Sequence, residues 1–189
     1  EGEHILGGSS FGGLLAYEMA QQLYQAGRGV KFLFMLDTPS PENYPKELPT
    51  DSDIIRYMLE VGAQHKVSQI FCKLALAEQL DYFLQHAGGF GKALPQFDHT
   101  HLKRYLQIYR CNIEAMFAYK LQNPYQESLE AYFYRALERD PTNPEHPENG
   151  WKKIFGSNLH LQETQGNHIT MLLASHVSTL GNSLAKLIQ

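Results

Sequence analysis

Two cysteines among 189 residues, Cys72 and Cys111, are too few and too far apart for a disulfide framework or a thiolate metal site. They read as free thiols in a reducing, cytoplasmic setting. Basic residues do not dominate: 16 Lys and Arg stand against 20 Asp and Glu. The net charge of −4 excludes the electrostatic footprint of a nucleic-acid binder. Long hydrophobic runs are absent, so no membrane span is expected, and the opening residues carry no secretory pattern. Internal repeats and low-complexity stretches are missing too. The length allows one domain with a real core, or a core plus a small cap.

What is present begins at Gly8-Ser9-Ser10-Phe11-Gly12, which fits G-x-S-x-G. An apolar run (His4 to Gly8) precedes it and a helix-like run (Phe11 to Ala26, stopped by Gly27) follows. A serine on a sharp strand-to-helix turn exposes its hydroxyl at the sheet edge, where it can attack a carbonyl carbon. Centring the pattern on Ser10 puts small residues at both flanks, whereas centring it on Ser9 puts Phe11 where the turn needs no side chain. No lysine follows the glycines as a phosphate loop requires, and the spacing of Gly7, Gly8 and Gly12 does not make a dinucleotide fingerprint.

Val30 to Leu36 (VKFLFML) is a continuous apolar run, as expected of a parallel strand covered on both faces. Strand, helix, strand predicts an α/β chain with a right-handed crossover. Pro39, Pro41, Pro45 and Pro49 then mark an irregular exit, and three helical stretches follow, roughly Asp51 to His65, Leu74 to Ala87 and His99 to Lys120. The third carries an amphipathic stripe of Leu102, Tyr105, Leu106, Tyr109, Ile113, Met116 and Phe117, read as core before substrate wall. Gly88-Gly89-Phe90-Gly91 is expected to be a hinge. Strand character returns at Leu129 to Arg135. After a Pro-rich loop come a helical turn around Trp151, a last strand at Leu159 to Thr164, and a closing helix from Met171 to Ile188. The expected division is a hydrolase-type core at 1–40 and 129–189 with a helical lid inserted at 41–128.

Ser10 needs a base, and the base needs a group that fixes its tautomer. Asp37 ends the next strand, so a parallel pairing brings it to the same sheet edge as Ser10. An Asp opening the turn Asp37-Thr38-Pro39 is the plainer reading of that residue. Glu138 and Asp140 are the rival acids. Of nine histidines, only His168 follows a strand end in the chain order Ser, acid, His. His65, His86, His99, His101 and His146 fall in the helical region or polar loops. His4 precedes the serine strand, His160 lies inside a strand and His176 in the closing helix.

With these residues in place, the chain resembles the thioesterase domain of nonribosomal peptide and polyketide synthases, of the α/β-hydrolase superfamily. The likeness rests on GGSSFGGLLAYEMA at 7–20, FMLDTPSP at 34–41 and QGNHITML at 165–172, and more weakly on YLQIYRCNIEAM at 105–116 and LEAYFYRA at 129–136. Ser9 departs from the Trp, Tyr or His usual before the nucleophile. The resemblance implies Ser10 as nucleophile, His168 as base, Asp37 as its orienter and the Phe11 N–H as oxyanion donor. It implies an acyl thioester delivered on the phosphopantetheine of an acyl or peptidyl carrier protein, with no metal or redox cofactor. Only nine residues precede Ser10, so a second oxyanion donor and flanking strands are expected to lie outside this sequence, leaving a strand edge open to self-association. A small-ester hydrolase of the same fold and a catalytically impaired carrier-docking module are the alternatives.

Overall fold

The computed structural model describes residues 3–44, 47–87, 98–121, 128–139 and 148–188. In chain order the elements are β1 (His4–Ser9), α1 (Phe11–Gln25), β2 (Val30–Leu36), α2 (Asp51–Tyr57), α3 (Leu76–His86), α4 (His99–Ala118), β3 (Glu130–Ala136), α5 (Lys152–Phe155), β4 (Leu159–Thr164) and α6 (Val177–Ile188), with short 3₁₀ and π turns between. They fall into two compact units, Glu1–Pro45 with Met116–Gln189, and Lys46–Ala115.

The first unit is built on one sheet, ordered β1-β2-β3-β4 among the described residues, with every pairing parallel. Parallel neighbours need crossovers. α1 bridges β1 and β2, and it stops where Gly27 (φ 72°) turns left-handed. There the amides of Gly27 and Arg28 donate back to Tyr24 and Leu23, the Schellman arrangement. Alternate residues of the sheet enter opposite layers. Leu33, Met35, Ala131 and Phe133 pack with Leu14, Tyr17 and Ala20 of α1 and with Trp151 and Phe155. Phe34, Leu36, Tyr132 and Tyr134 face the other way, onto Leu180, Leu184 and Leu187 of α6. That double burial is why β2 is apolar at every position but Lys31, which is exposed near its start. The expected α/β class with a parallel sheet holds, and Cys72 and Cys111 carry free, exposed thiols. No helix among the described residues is long and apolar enough to cross a membrane.

The second unit is helical, with Ile54, Ile55, Met58, Leu59, Leu80, Phe83, Leu102 and Leu106 at its centre. The α4 stripe divides: Leu102 and Leu106 are buried, while Tyr105 stays 38% exposed. Burial pushes the Tyr109 phenol up to about 12. A cavity of about 450 Å³ is lined by Leu48, Ile54 and Ile113 together with Arg110, which is ion-paired with Asp51. The expected hinge at 88–91 and the Pro-rich loop at 141–147 lie outside the described residues.

Two expected helices are shorter than the sequence pattern. The stretch from Asp51 leaves the α form at Tyr57, widens into a π turn over Met58–Gly62 and ends where Gln64 turns left-handed (φ 53°). The closing helix begins at Val177, after a separate 3₁₀ turn at Thr170–Leu172, so His176 precedes it. Met171 and Leu180 are both buried in the same core cluster. Nine positions apart in one continuous helix they would lie about two and a half turns apart, on opposite faces, so the break lets both point inward.

The start of α2 carries a full capping box. The Asp53 amide donates to the Thr50 hydroxyl (3.2 Å), while the Thr50 amide and hydroxyl donate to the Asp53 carboxylate (3.0 and 2.6 Å). These bonds hold the Asp53 carboxyl below the usual range. Its contribution is therefore complete above the unfolded carboxyl value of about 3.9 and is lost as pH falls through the lower folded value. Thr50→Ala should cost about 1 kcal/mol at pH 7 in urea denaturation, and the gap from wild type should narrow in acid below that value. A gap independent of pH would show that the Asp53 half of the box contributes nothing.

Candidate active site

Ser10 is the sole residue between β1 and α1. Its backbone sits at φ 52°, ψ −123°, a sparsely populated region for a residue with a side chain. Strain of this kind costs roughly 1–3 kcal/mol and persists only when its surroundings enforce it. Here the Ser10 amide donates to Leu36 O of the neighbouring strand (2.9 Å), and its carbonyl accepts from Gly13 N (3.0 Å). The turn is so tight that a Cβ on Gly8 would lie 2.2 Å from the Gly12 carbonyl carbon. A Cβ on Gly12, by contrast, would meet nothing within 4 Å. The steric demand that the sequence pattern places on both flanks therefore falls on Gly8. It falls also on Gly13, where a Cβ would meet the Thr38 hydroxyl at 2.0 Å. Phe11 is the first helical residue, so its N–H has no intrahelical acceptor and points from the positive end of the helix.

The β1–β2 register pairs Ser9 with Leu36, so Ser10 and Asp37 leave adjacent strands side by side. Asp37 takes a left-handed backbone (φ 47°), which Asp tolerates better than most side chains, and its amide donates to Tyr134 O (2.8 Å). Its residue surface is 7% exposed. A carboxylate this buried must be hydrogen-bonded, and each oxygen has a donor. Oδ1 accepts from the Ala136 amide at the end of β3 (3.3 Å), and Oδ2 lies 2.8 Å from Nδ1 of His168. An ionised carboxylate only accepts, so Nδ1 carries the proton of that bond and Nε2 of the neutral ring keeps its lone pair.

His168 lies beyond β4, on a turn shaped by its neighbour. The Asn167 side-chain oxygen Oδ1 accepts from the backbone amides of Ile169 (3.0 Å) and Thr170 (2.8 Å), while the Asn167 backbone N–H donates to the Thr170 hydroxyl (2.8 Å). Gly166 (φ 88°) makes the bend before it.

The other candidates disperse. Glu138 is exposed and Asp140 and His146 lie outside the described residues. His160 pairs with Glu130 on the surface (2.5 Å), and His4 with Arg28 (2.7 Å). His99 and His101 pair with Asp81 and Asp98 in the helical unit, where His65 and His86 flank Tyr82. Sequence reasoning missed the Ala136 amide, which as a backbone group leaves no trace in the sequence. It also missed the Asn167 turn, which Asn-x-x-Thr could have signalled.

A parallel sheet whose strand ends carry a strained serine turn, a buried Asp and a His in that chain order defines the α/β-hydrolase fold. The family model "Thioesterase domain" matches residues 4–186, and the chain belongs to that family. Among curated proteins it is 28% identical over 204 residues to the non-reducing polyketide synthase terA of Aspergillus terreus, covering 100% of this chain and 9% of that protein. It is 26% identical over 197 residues to the non-reducing polyketide synthase PKS1 of Zymoseptoria tritici, covering 100% of this chain and 8% of that one. The chain thus spans less than a tenth of the length of these relatives. Among solved structures it superposes on a four-domain nonribosomal peptide synthetase with a TM-score of 0.78 at 22% identity, covering 99% of this chain and 14% of that one. On the RedJ thioesterase of the prodiginine pathway of Streptomyces coelicolor the TM-score is 0.65 at 20% identity, covering 96% of this chain and 62% of that one. At these identities the structural likeness shows the fold.

Gly13→Ala tests the contact between the serine helix and the Asp37 loop. A methyl group 2.0 Å from the Thr38 hydroxyl must displace one of them, and the expected loss is about 1–3 kcal/mol in thermal or urea unfolding. Adding Thr38→Ala should restore part of it. Strictly additive losses would mean the two residues do not compete for one space.

Proposed function

We propose that this chain is a serine thioesterase that releases an acyl chain, polyketide or peptidyl, from the phosphopantetheine arm of a carrier protein. The observation that carries the reading is the 2.8 Å bond between His168 Nδ1 and Asp37, formed at the same sheet edge as the strained Ser10. Family membership and the polyketide synthase relatives support the substrate class.

In the proposed cycle, Ser10 Oγ attacks the thioester carbonyl carbon while its proton passes to Nε2 of His168. Asp37 holds the ring in the Nδ1–H tautomer and stabilises the imidazolium. The oxyanion is met by the Phe11 N–H. As the C–S bond breaks, the imidazolium returns the proton to the leaving pantetheine thiol, leaving an ester on Ser10. A water molecule, or a hydroxyl or amine of the same acyl chain, then attacks that ester, gives its proton to His168 and restores Ser10. Water yields a free acid and an internal nucleophile a ring. We read the helical unit as the lid that selects the acyl chain, with the carrier protein as the partner.

A fluorophosphonate probe should add once, on Ser10, as read by intact mass and peptide mapping. Ser10→Ala should abolish the adduct and His168→Ala should slow it about 10²- to 10⁴-fold. Labelling that survives Ser10→Ala would refute the assignment.

Acyl-pantetheine thioesters should be turned over faster than simple esters of the same acyl group, measured by thiol release and by acid titration. Equal or faster ester cleavage would favour the small-ester reading, and probe labelling without turnover of either would favour a carrier-docking role.

A further inference from the structure

We propose that Trp151 is a positioning residue for Asp37, acting through the backbone carbonyl of Thr38; the inference rests on the roles of Asp37 and His168 proposed above. The indole Nε1–H donates to Thr38 O at 2.7 Å, across 113 positions of sequence. Both residues are fully buried, at 0% exposure. Thr38 follows Asp37 directly, so the carbonyl that Trp151 holds, in the Thr38–Pro39 peptide, lies one residue beyond the Cα that carries the carboxylate.

Two sets of bonds fix that short segment. On its N-terminal side the Asp37 amide donates to Tyr134 O of β3 (2.8 Å). On its C-terminal side Trp151 holds Thr38 O, and the Ser40 amide donates to Asn149 O (2.9 Å), two residues before Trp151. Asp37 itself sits at φ 47°, a conformation the segment would leave if either end were released. The indole cannot follow a moving carbonyl. It is packed against Tyr17 (centroids 5.2 Å apart) and Phe155 (5.8 Å), and those contacts belong to the sheet core.

A buried carbonyl deprived of its donor is costly, so the peptide would rotate toward another partner. Rotation there is passed through the adjoining Asp37–Thr38 linkage and shifts Asp37 Oδ2 relative to His168 Nδ1, the bond on which the tautomer depends. Packing alone would be served by any large ring; the N–H aimed at a carbonyl beside the acid is what singles out tryptophan. It is the one tryptophan in the sequence.

The test replaces Trp151 by benzothienylalanine through an amber codon, so that sulfur stands in place of the indole N–H and the ring keeps nearly its shape. Trp151→Phe is the second variant, and each is made with Asp37 intact and with Asp37→Asn. The readouts are the rate of acyl-enzyme formation and KM with an acyl-pantetheine thioester, and the downfield Nδ1–H proton resonance of His168. Loss of the N–H should slow acylation roughly 10- to 100-fold, leave KM within about two-fold, and shift or broaden that resonance. With Asp37→Asn in place, the same change at Trp151 should cost nothing further.

An unchanged acylation rate and resonance in the sulfur variant would overturn the proposal. So would an equal loss in the Asp37→Asn background, which would mean that Trp151 acts on the fold and not through the acid. If Trp151→Phe fails to fold, the isostere still decides. The reading beneath it fails separately, when probe labelling of the unmodified chain does not depend on Ser10 and His168.

Discussion

A strand that passes into a helix through one residue leaves almost no freedom to anything near it. Ser10 occupies that position, and the crossing brings the last turn of β1 so close to the first turn of α1 that Gly8 and Gly12 touch backbone to backbone. From this follow the strained angles of Ser10 and the place of the Phe11 amide at the free N-terminus of the helix. The strain of roughly 1–3 kcal/mol is held by a bond to Leu36 on one side and by the helix on the other. Because α1 lies this near the sheet, Gly13 must also lack a side chain, since Thr38 fills the space. The serine turn and the Asp37 loop are thus parts of one packed object.

The acid is held by backbone groups as much as by its partner. Three parallel strands end together, and each contributes to Asp37: β2 delivers it, β3 gives it the Ala136 amide and receives its own amide at Tyr134, and the loop after β4 brings His168. With one donor per oxygen, the buried carboxyl has both its acceptors satisfied. Parallel topology is what makes this possible, because only parallel strands put all their C-terminal ends on one edge.

Much of this was legible in the sequence, for physical reasons. β2 and β4 match the expected spans; β2 stands out because a strand covered on both faces is apolar at every position but Lys31, whereas β4 (LHLQET) is partly exposed and was marked by the loops that bound it. Ser10, Asp37 and His168 were each marked by a strand end, and the structure does bring Asp37 and His168 into a bond. The two helix ends that differed, at Tyr57 and Val177, depend on which residues the tertiary core needs to bury, and periodicity cannot see that. Nor could local pattern assign a steric role among Gly8, Gly12 and Gly13, because the atoms that decide it come from another turn or another loop. Trp151 read only as the centre of a helical turn. Its hydrogen bond to Thr38 spans the helical unit and two loops in sequence, and nothing nearby encodes it.

The crossover between β2 and β3 holds the whole Lys46–Ala115 unit, yet β2 and β3 pair directly, residue by residue. The ends of that connection are therefore fixed by the ladder and not by what lies between them. Every residue proposed to act in chemistry (Ser10, Phe11, Asp37, His168) and the proposed positioning residue Trp151 belong to the unit that contains the sheet. The hydrogen bonds that join Asp37 to His168 and to Ala136, and Trp151 to Thr38, are all made within it. A helical insertion placed in this crossover can change its length, its apolar lining or its cavity without altering any of those distances. On the proposed reading, acyl selection by the helical unit and acyl transfer at the sheet edge can then vary independently, because the sheet register separates them.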